Sequence, residues 1–192
     1  GGTRVVNYSR TMLGYLTHPL VRCALLLEHG CEKTHNDYMR NELTAMGFSP
    51  ESFGWASVQM DGGIEKALAR VERWFTQHLE GLESPPAEEV GLGALRLGLL
   101  SSGPLDPQVA HSFAHLARRI VGAGGTVVVP ERSNLLNTGS FVGELLEEGN
   151  TEICLAYGQP APGPGFFVME NPTDHWVETL TGLGATGMEL LL

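Results

Sequence analysis

The chain has 192 residues, 42% hydrophobic and 18% charged, a length and balance that support one large or two small domains with a buried core and exclude the disordered and fibrous classes. Lys plus Arg number 12 against 22 Asp plus Glu, a formal charge of −10, and no basic cluster offers the footprint a phosphate backbone requires, so nucleic acid is excluded as an expected partner. Apolar runs such as Ala24 to Leu27 and Thr126 to Pro130 fall far short of the roughly 20 residues that span a bilayer. The start of the sequence lacks the charged-then-apolar plan of a secretory leader, and Cys23, Cys31 and Cys154 form no secreted-style framework. The expectation is a cytoplasmic protein with no membrane partner and no structural disulfide.

In chain order, Val21 to Leu27 reads as a buried strand and His35 to Met46 as a helix with Met39, Leu43 and Met46 on one face. Trp55 to Gln59 is a second short strand. Asp61-Gly62-Gly63 then opens a helix in which Ile64, Leu68, Val71 and Phe75 recur at helical spacing, ending near Gly81. Glu80 to Gly93 has neither period nor apolar content, and a linker set at 85–93 divides the chain into α/β halves of residues 1–84 and 94–192. Beyond it, Leu95 to Ser101 is a strand and Pro107 to Val121 a helix with Val109, Phe113, Leu116 and Ile120 on its core face. Thr126 to Val129 is β-branched strand. A helix over Ser140 to Glu148, strands at Glu152 to Tyr157 and Phe166 to Met169, and a helix capped by Thr173 or Asp174 complete the alternation.

Strands alternating with helices of ten or more residues predict an α/β fold, a Rossmann-like open and mostly parallel sheet with helices on both faces. In such sheets ligands bind outside the carboxyl ends of the strands. Those positions hold the segment from Glu28 to Asp37, then Gln59 and Asp61, Ser101-Ser102-Gly103, Glu131, and Glu170-Asn171. Imidazole, thiol and carboxylate gather at His29, Cys31, Glu32 and His35, a donor set suited to a divalent transition metal. A helix-capping turn with Thr34 or Asn36 as cap accounts for the same residues. Gln59 to Gly63 can aim helix N–H groups at a carboxylate, or Asp61 can simply cap. Glu131 suits a general base, or a solvated loop acid beside Arg132. His175 and Trp176 read as a sugar-binding pair or as a capping and packing pair.

Several of these segments together resemble the altronate and galactarate dehydratase family. Ser9-Arg10-Thr11-Met12-Leu13, His18-Pro19 and the strand ending His29-Gly30-Cys31-Glu32 resemble its "TML…HPN…GCE" segment, and Gln59 to Ile64 its "Q…GGT" helix start. Leu95 to Leu99 and Gly124 to Glu131 are similar to its "LxxGL…GGTxxLxE" strands, and Pro164 to Pro172 with Thr181 to Gly187 to its "PGLxxMxxP…TGLxAAG" region. The resemblance implies a lyase: loss of water from a six-carbon sugar acid to a 2-keto-3-deoxy acid, assisted by Fe(II) or Mn(II). It implies roles for Glu131, Glu32 and Gln59 in catalysis and matches Cys31 and Glu32 to the family's glycine-cysteine-glutamate turn. His29 and His35, which belong to this chain and not to the family pattern, join Cys31 and Glu32 as candidate metal ligands on their donor chemistry alone. Ser101, Ser102, Asp61 and Asn171 are the candidates for holding substrate.

The chain departs from the family pattern where "CGGSDG" is replaced by Ser101-Ser102-Gly103-Pro104-Leu105-Asp106, without the cysteine. The family's N-terminal domain has no counterpart, and Leu192 falls where "FTTGRG" would follow. The expectation is therefore a piece of a longer protein or a compact, diverged relative, completed by a missing N-terminal domain, a separate subunit or a homo-oligomer. The alternative to catalysis is a relative that binds a small anion or assembles with a partner subunit.

Overall fold

The computed structural model describes residues 2–146 and 153–192. Two compact units are present. The first is made of residues up to Ser9 together with Val21–Ala87, the second of Arg10–Leu20 together with Glu88–Leu192. Residues 10–20, which the sequence reading places with the first half, thus group with the second unit.

In the first unit, β1 (Leu25–Glu28) pairs in parallel with β2 (Gly54–Ser57), Leu26 opposite Trp55, and α2 (Asn36–Ala45) makes the crossover. Met39 and Leu43 of α2, spaced i, i+4 on one helix face, are buried, as are Leu26 of β1 and Trp55 and Ala56 of β2. The guanidinium of Arg40 lies 4.2 Å from the Trp55 ring centroid. Helix α3 (Ile64–Leu79) follows. Only part of its expected stripe turns inward: Ile64 is 74% and Leu68 56% exposed, Val71 and Phe75 are half-buried, and Ala67 is buried. The reason lies at Gly54, where an added Cβ would stand 2.7 Å from the Trp74 ring. The missing side chain admits the indole against β2, and this turns the Ala67–Trp74 line of the helix inward.

The second unit carries the α/β sheet. Strands β3 (Arg96–Gly98), β4 (Thr126–Pro130), β5 (Ile153–Leu155), β6 (Gly165–Met169) and β7 (Leu190–Leu191) are all parallel, in the order β5-β6-β4-β3-β7. Alternation along β4 sorts the two faces. Val127 and Val129 join Ala110, Ala114, Ala117 and Ile120 of α4 (Pro107–Gly122) and Phe141 of α5 (Gly139–Leu146) in one cluster. Val128 joins Phe167, Met169 and Leu183 of α6 (Trp176–Ala185) in another. Helices therefore cover both faces, as the parallel strands require. The expected last turn of α5 and the start of the strand at Glu152 lie outside the described residues.

Helix α1 (Gly2–Leu16) and strand β7 have no counterpart in the sequence reading. The inward row of α1 is Ser9, Leu13 and Leu16, with Tyr8, Met12 and Tyr15 exposed, so hydrophobicity does not mark its period. Its second half packs closely on α6: a Cβ at Gly14 would lie 2.2 Å from the Ala185 carbonyl oxygen.

Candidate functional site

In the second unit the connections after β4 and β6 leave for opposite faces, the first towards α5 and the second towards α6. Adjacent strands that diverge in this way open a crevice beyond their carboxyl ends. A cleft of about 200 Å³ lies there, walled by the residues after β3 (Leu100 to Ser102), by the last residue of β4 (Pro130) and those after it (Arg132, Ser133), by those after β6 (Asn171, Thr173, Asp174) and by the start of α6.

The local structure of the walls follows from short-range chemistry. The Ser101 N–H donates to Ser133 Oγ at 3.0 Å, and the Asn134 N–H donates to the Ser101 carbonyl at 3.1 Å, so the ladder between β3 and β4 continues into the loops. Asn171 and Thr179 are 4% and 7% exposed. The Asn171 Nδ2 donates to Thr179 Oγ1 at 3.2 Å, and the Thr179 hydroxyl lies within reach of both Asn171 Oδ1 (3.3 Å) and the His175 carbonyl (3.2 Å). One proton serves only one of those two acceptors. Neither Thr173 nor Asp174 is the N-cap of α6. That position is His175, which makes no side-chain cap bond, and the Thr173 hydroxyl instead accepts its N–H at 3.1 Å. Arg132 and Asp174 form an ion pair at 2.5 Å over the opening, and Trp176 adds an apolar edge.

Ser101, Ser102 and Asn171 therefore line one cleft. Glu131 does not line it: the side chain is exposed, and the residue's N–H extends the pairing with β6 by donating to the Met169 carbonyl at 2.9 Å. Trp176, one of the two residues read as a sugar-binding pair, lines the cleft as well, and Arg132, Ser133, Asp174 and Thr179 are cleft residues that motif reading did not assign to a site. The usable signal was position, since each follows β4 or β6 or opens the next helix.

The remaining candidates belong to the first unit. Both oxygens of the Glu32 carboxylate are engaged by the backbone, accepting from the N–H groups of His29 (2.7 Å) and Gly30 (2.8 Å). Those bonds, that from Gly30 first, hold the carboxyl down at about 2. His29 Nδ1 lies 3.5 Å from Cys31 Sγ. His35, rather than Thr34 or Asn36, is the N-cap of α2, its Nδ1 accepting from the Tyr38 N–H at 3.2 Å. Gly30, at φ +119°, sits against Gln59, whose Oε1 would be 2.6 Å from an added Cβ. Among the described residues no three His, Cys, Asp or Glu side chains form a group that could hold a metal ion. In the arrangement shown, Glu32 closes the turn through the His29 and Gly30 amides and His35 caps α2.

A second cleft, of about 210 Å³, lies at the carboxyl ends of β1 and β2 and includes Glu28, Arg40, Trp55, Ser57 and Asp61. Asp61 and Glu28 in it are already engaged within the unit. Asp61 accepts from the Ser57 N–H and from Arg70, both at 2.9 Å, Glu28 accepts from the Asn36 N–H, and Arg40 covers Trp55. Comparison of the chain with protein-family models, curated proteins and solved structures found no match.

Proposed function

We propose that the second unit holds a small hydroxylated carboxylate, of the sugar-acid class, in the cleft beyond β3, β4 and β6. The observation that carries this reading is the lining, in which the polar side chains of Ser133, Asn171 and Thr179 are almost fully buried beside the guanidinium of Arg132. Hydroxyl and amide groups both donate and accept. They pair with a polyol and leave unmatched polar atoms against an apolar guest, which is the stronger basis of selectivity. Arg is the side chain best matched to a carboxylate. A formal charge of −10 gives no long-range help to an anion, so the local cation and the start of α6 must supply the attraction.

The resemblance to sugar-acid dehydratases attaches a reaction to such a ligand, loss of water to a 2-keto-3-deoxy acid. The divalent metal that this chemistry uses finds no group of three His, Cys, Asp or Glu side chains among the described residues.

Titration calorimetry with galactarate and altronate tests the reading. Saturable binding is expected, abolished by Ser102→Trp at an exposed place on the cleft wall with the unfolding curve unchanged. No heat with either acid overturns it. Incubation with Mn(II) and assay for a 2-keto-3-deoxy acid, as its semicarbazone, tests the dehydration separately.

A further inference from the structure

Ser133 is 3% exposed, and its hydroxyl is only half used. The oxygen accepts the N–H of Ser101 at 3.0 Å and, more loosely, that of Leu135 at 3.4 Å, which occupies both lone pairs. Its single proton has no acceptor among the described residues. Ser133 lines the cleft, so this proton is available to an acceptor seated there.

Two further features meet the same space. The first-turn N–H groups of a helix have no intrahelical partners, and at α6 the N-cap His175 contributes no side chain to them. Arg132 brings the cation, held in this structure by the Asp174 carboxylate at 2.5 Å. Asp174 is 89% exposed and Arg132 49%, so the pair is of the weak, solvent-screened kind. Only one guanidinium nitrogen is used in it, where Arg offers five N–H donors.

We infer that the Ser133 hydroxyl, the first turn of α6 and Arg132 form an oxyanion subsite, and that the Asp174 carboxylate is a built-in competitor which the ligand's own oxyanion displaces from Arg132. The inference rests on the cleft reading above and assigns its anion-holding end. Carboxylate and phosphate share the required chemistry: resonance-equivalent oxygens that accept from a guanidinium, a hydroxyl and backbone N–H groups together.

The test titrates wild type, Asp174→Asn and Arg132→Gln with galactarate, inorganic phosphate and galactitol at low ionic strength. Both substitutions are at solvent-exposed ends of side chains, and thermal unfolding confirms that each variant folds. Removing the competitor is expected to tighten galactarate about threefold, the scale of an exposed ion pair, with galactitol unaffected. Arg132→Gln is expected to weaken galactarate about tenfold. If phosphate alone binds and tightens in Asp174→Asn, the subsite stands and the sugar-acid reading falls. If galactarate binds wild type and Asp174→Asn equally, the subsite is overturned and the cleft reading survives. If neither anion binds any of the three proteins, both are overturned.

Discussion

The amide of Ser101 and the hydroxyl oxygen of Ser133 meet at 3.0 Å although 32 residues separate them in sequence. This bond fastens the loop after β3 to the loop after β4 where neither loop has a strand neighbour, and it fixes the spacing of two cleft walls. Ser133→Ala removes the acceptor of two backbone N–H groups at a buried position. The expected cost is about 2 kcal/mol, the price of stranding buried donors, read as a lower urea midpoint at unchanged slope.

Gly14 is a helical glycine whose replacement should hurt. Alanine in a helix interior ordinarily gains about 1 kcal/mol over glycine, but a Cβ here would stand 2.2 Å from the Ala185 carbonyl oxygen. Gly14→Ala is expected to destabilise by about 2 kcal/mol through overpacking. Gly122, the last residue of α4, has open space around its Cβ position. Gly122→Ala is expected to raise stability by about 0.5 kcal/mol. Paired urea melts of the two variants would contradict this account if both moved the same way.

The Glu32 carboxyl is lowered from 4.5 to about 2, chiefly by the Gly30 N–H and then by that of His29. A folded value below the unfolded one means the charged form is favoured by folding. The contribution is complete above the unfolded value and disappears as pH falls from about 4.5 towards about 2. Carbon-detected NMR titration should show Glu32 still ionised at pH 3, well below the ordinary glutamate value of 4.5. In Glu32→Gln, weakened protection of the His29 and Gly30 amides against exchange is expected at neutral pH, with the difference from wild type vanishing in acid.

Tyr157 is shifted the other way. Burial, followed by the nearby Glu178 charge, raises its phenol above the ordinary 10, and its hydroxyl donates to the Glu178 carbonyl at 2.6 Å. Because the folded state favours the neutral phenol, the contribution is whole below pH 10 and is lost as pH rises through the folded value. Absorbance titration should find this tyrosine ionising above the ordinary value of 10. Tyr157→Phe is expected to cost about 1 kcal/mol for the lost bond, measured at neutral pH.

The α/β architecture is legible in the sequence because its strands are short apolar runs and its helices carry i, i+3, i+4 stripes, as in Thr126 to Val129 and Pro107 to Val121. Helix α1 is not, since its inward row begins with Ser9. The stripe of α3 is periodic, yet glycine at position 54 leaves a seat for Trp74 that no period encodes. The cleft is partly legible. Position after a strand singles out Ser101, Ser102 and Asn171, but not which of Glu131, Arg132 and Ser133 turns inward, because that depends on one N–H of Glu131 pairing with Met169. For His29 to His35, residue chemistry suggests a metal, whereas backbone amides reach Glu32 and His35 from within two or three residues. Local bonds of that kind form at little entropic cost and pre-empt distant partners.

The cleft walls come from the ends of three strands, with Ser101, Ser133 and Asn171 widely separated in sequence and joined only through β3, β4 and β6. No local segment contains enough of the wall to hold a ligand, and pairing of such distant strands is the slow, high-contact-order part of folding. Binding competence is thus acquired only when the sheet is assembled. In refolding from urea, helical circular dichroism should recover ahead of ligand affinity, and a ligand of this cleft would stabilise the native state alone, shifting the whole unfolding equilibrium of the second unit.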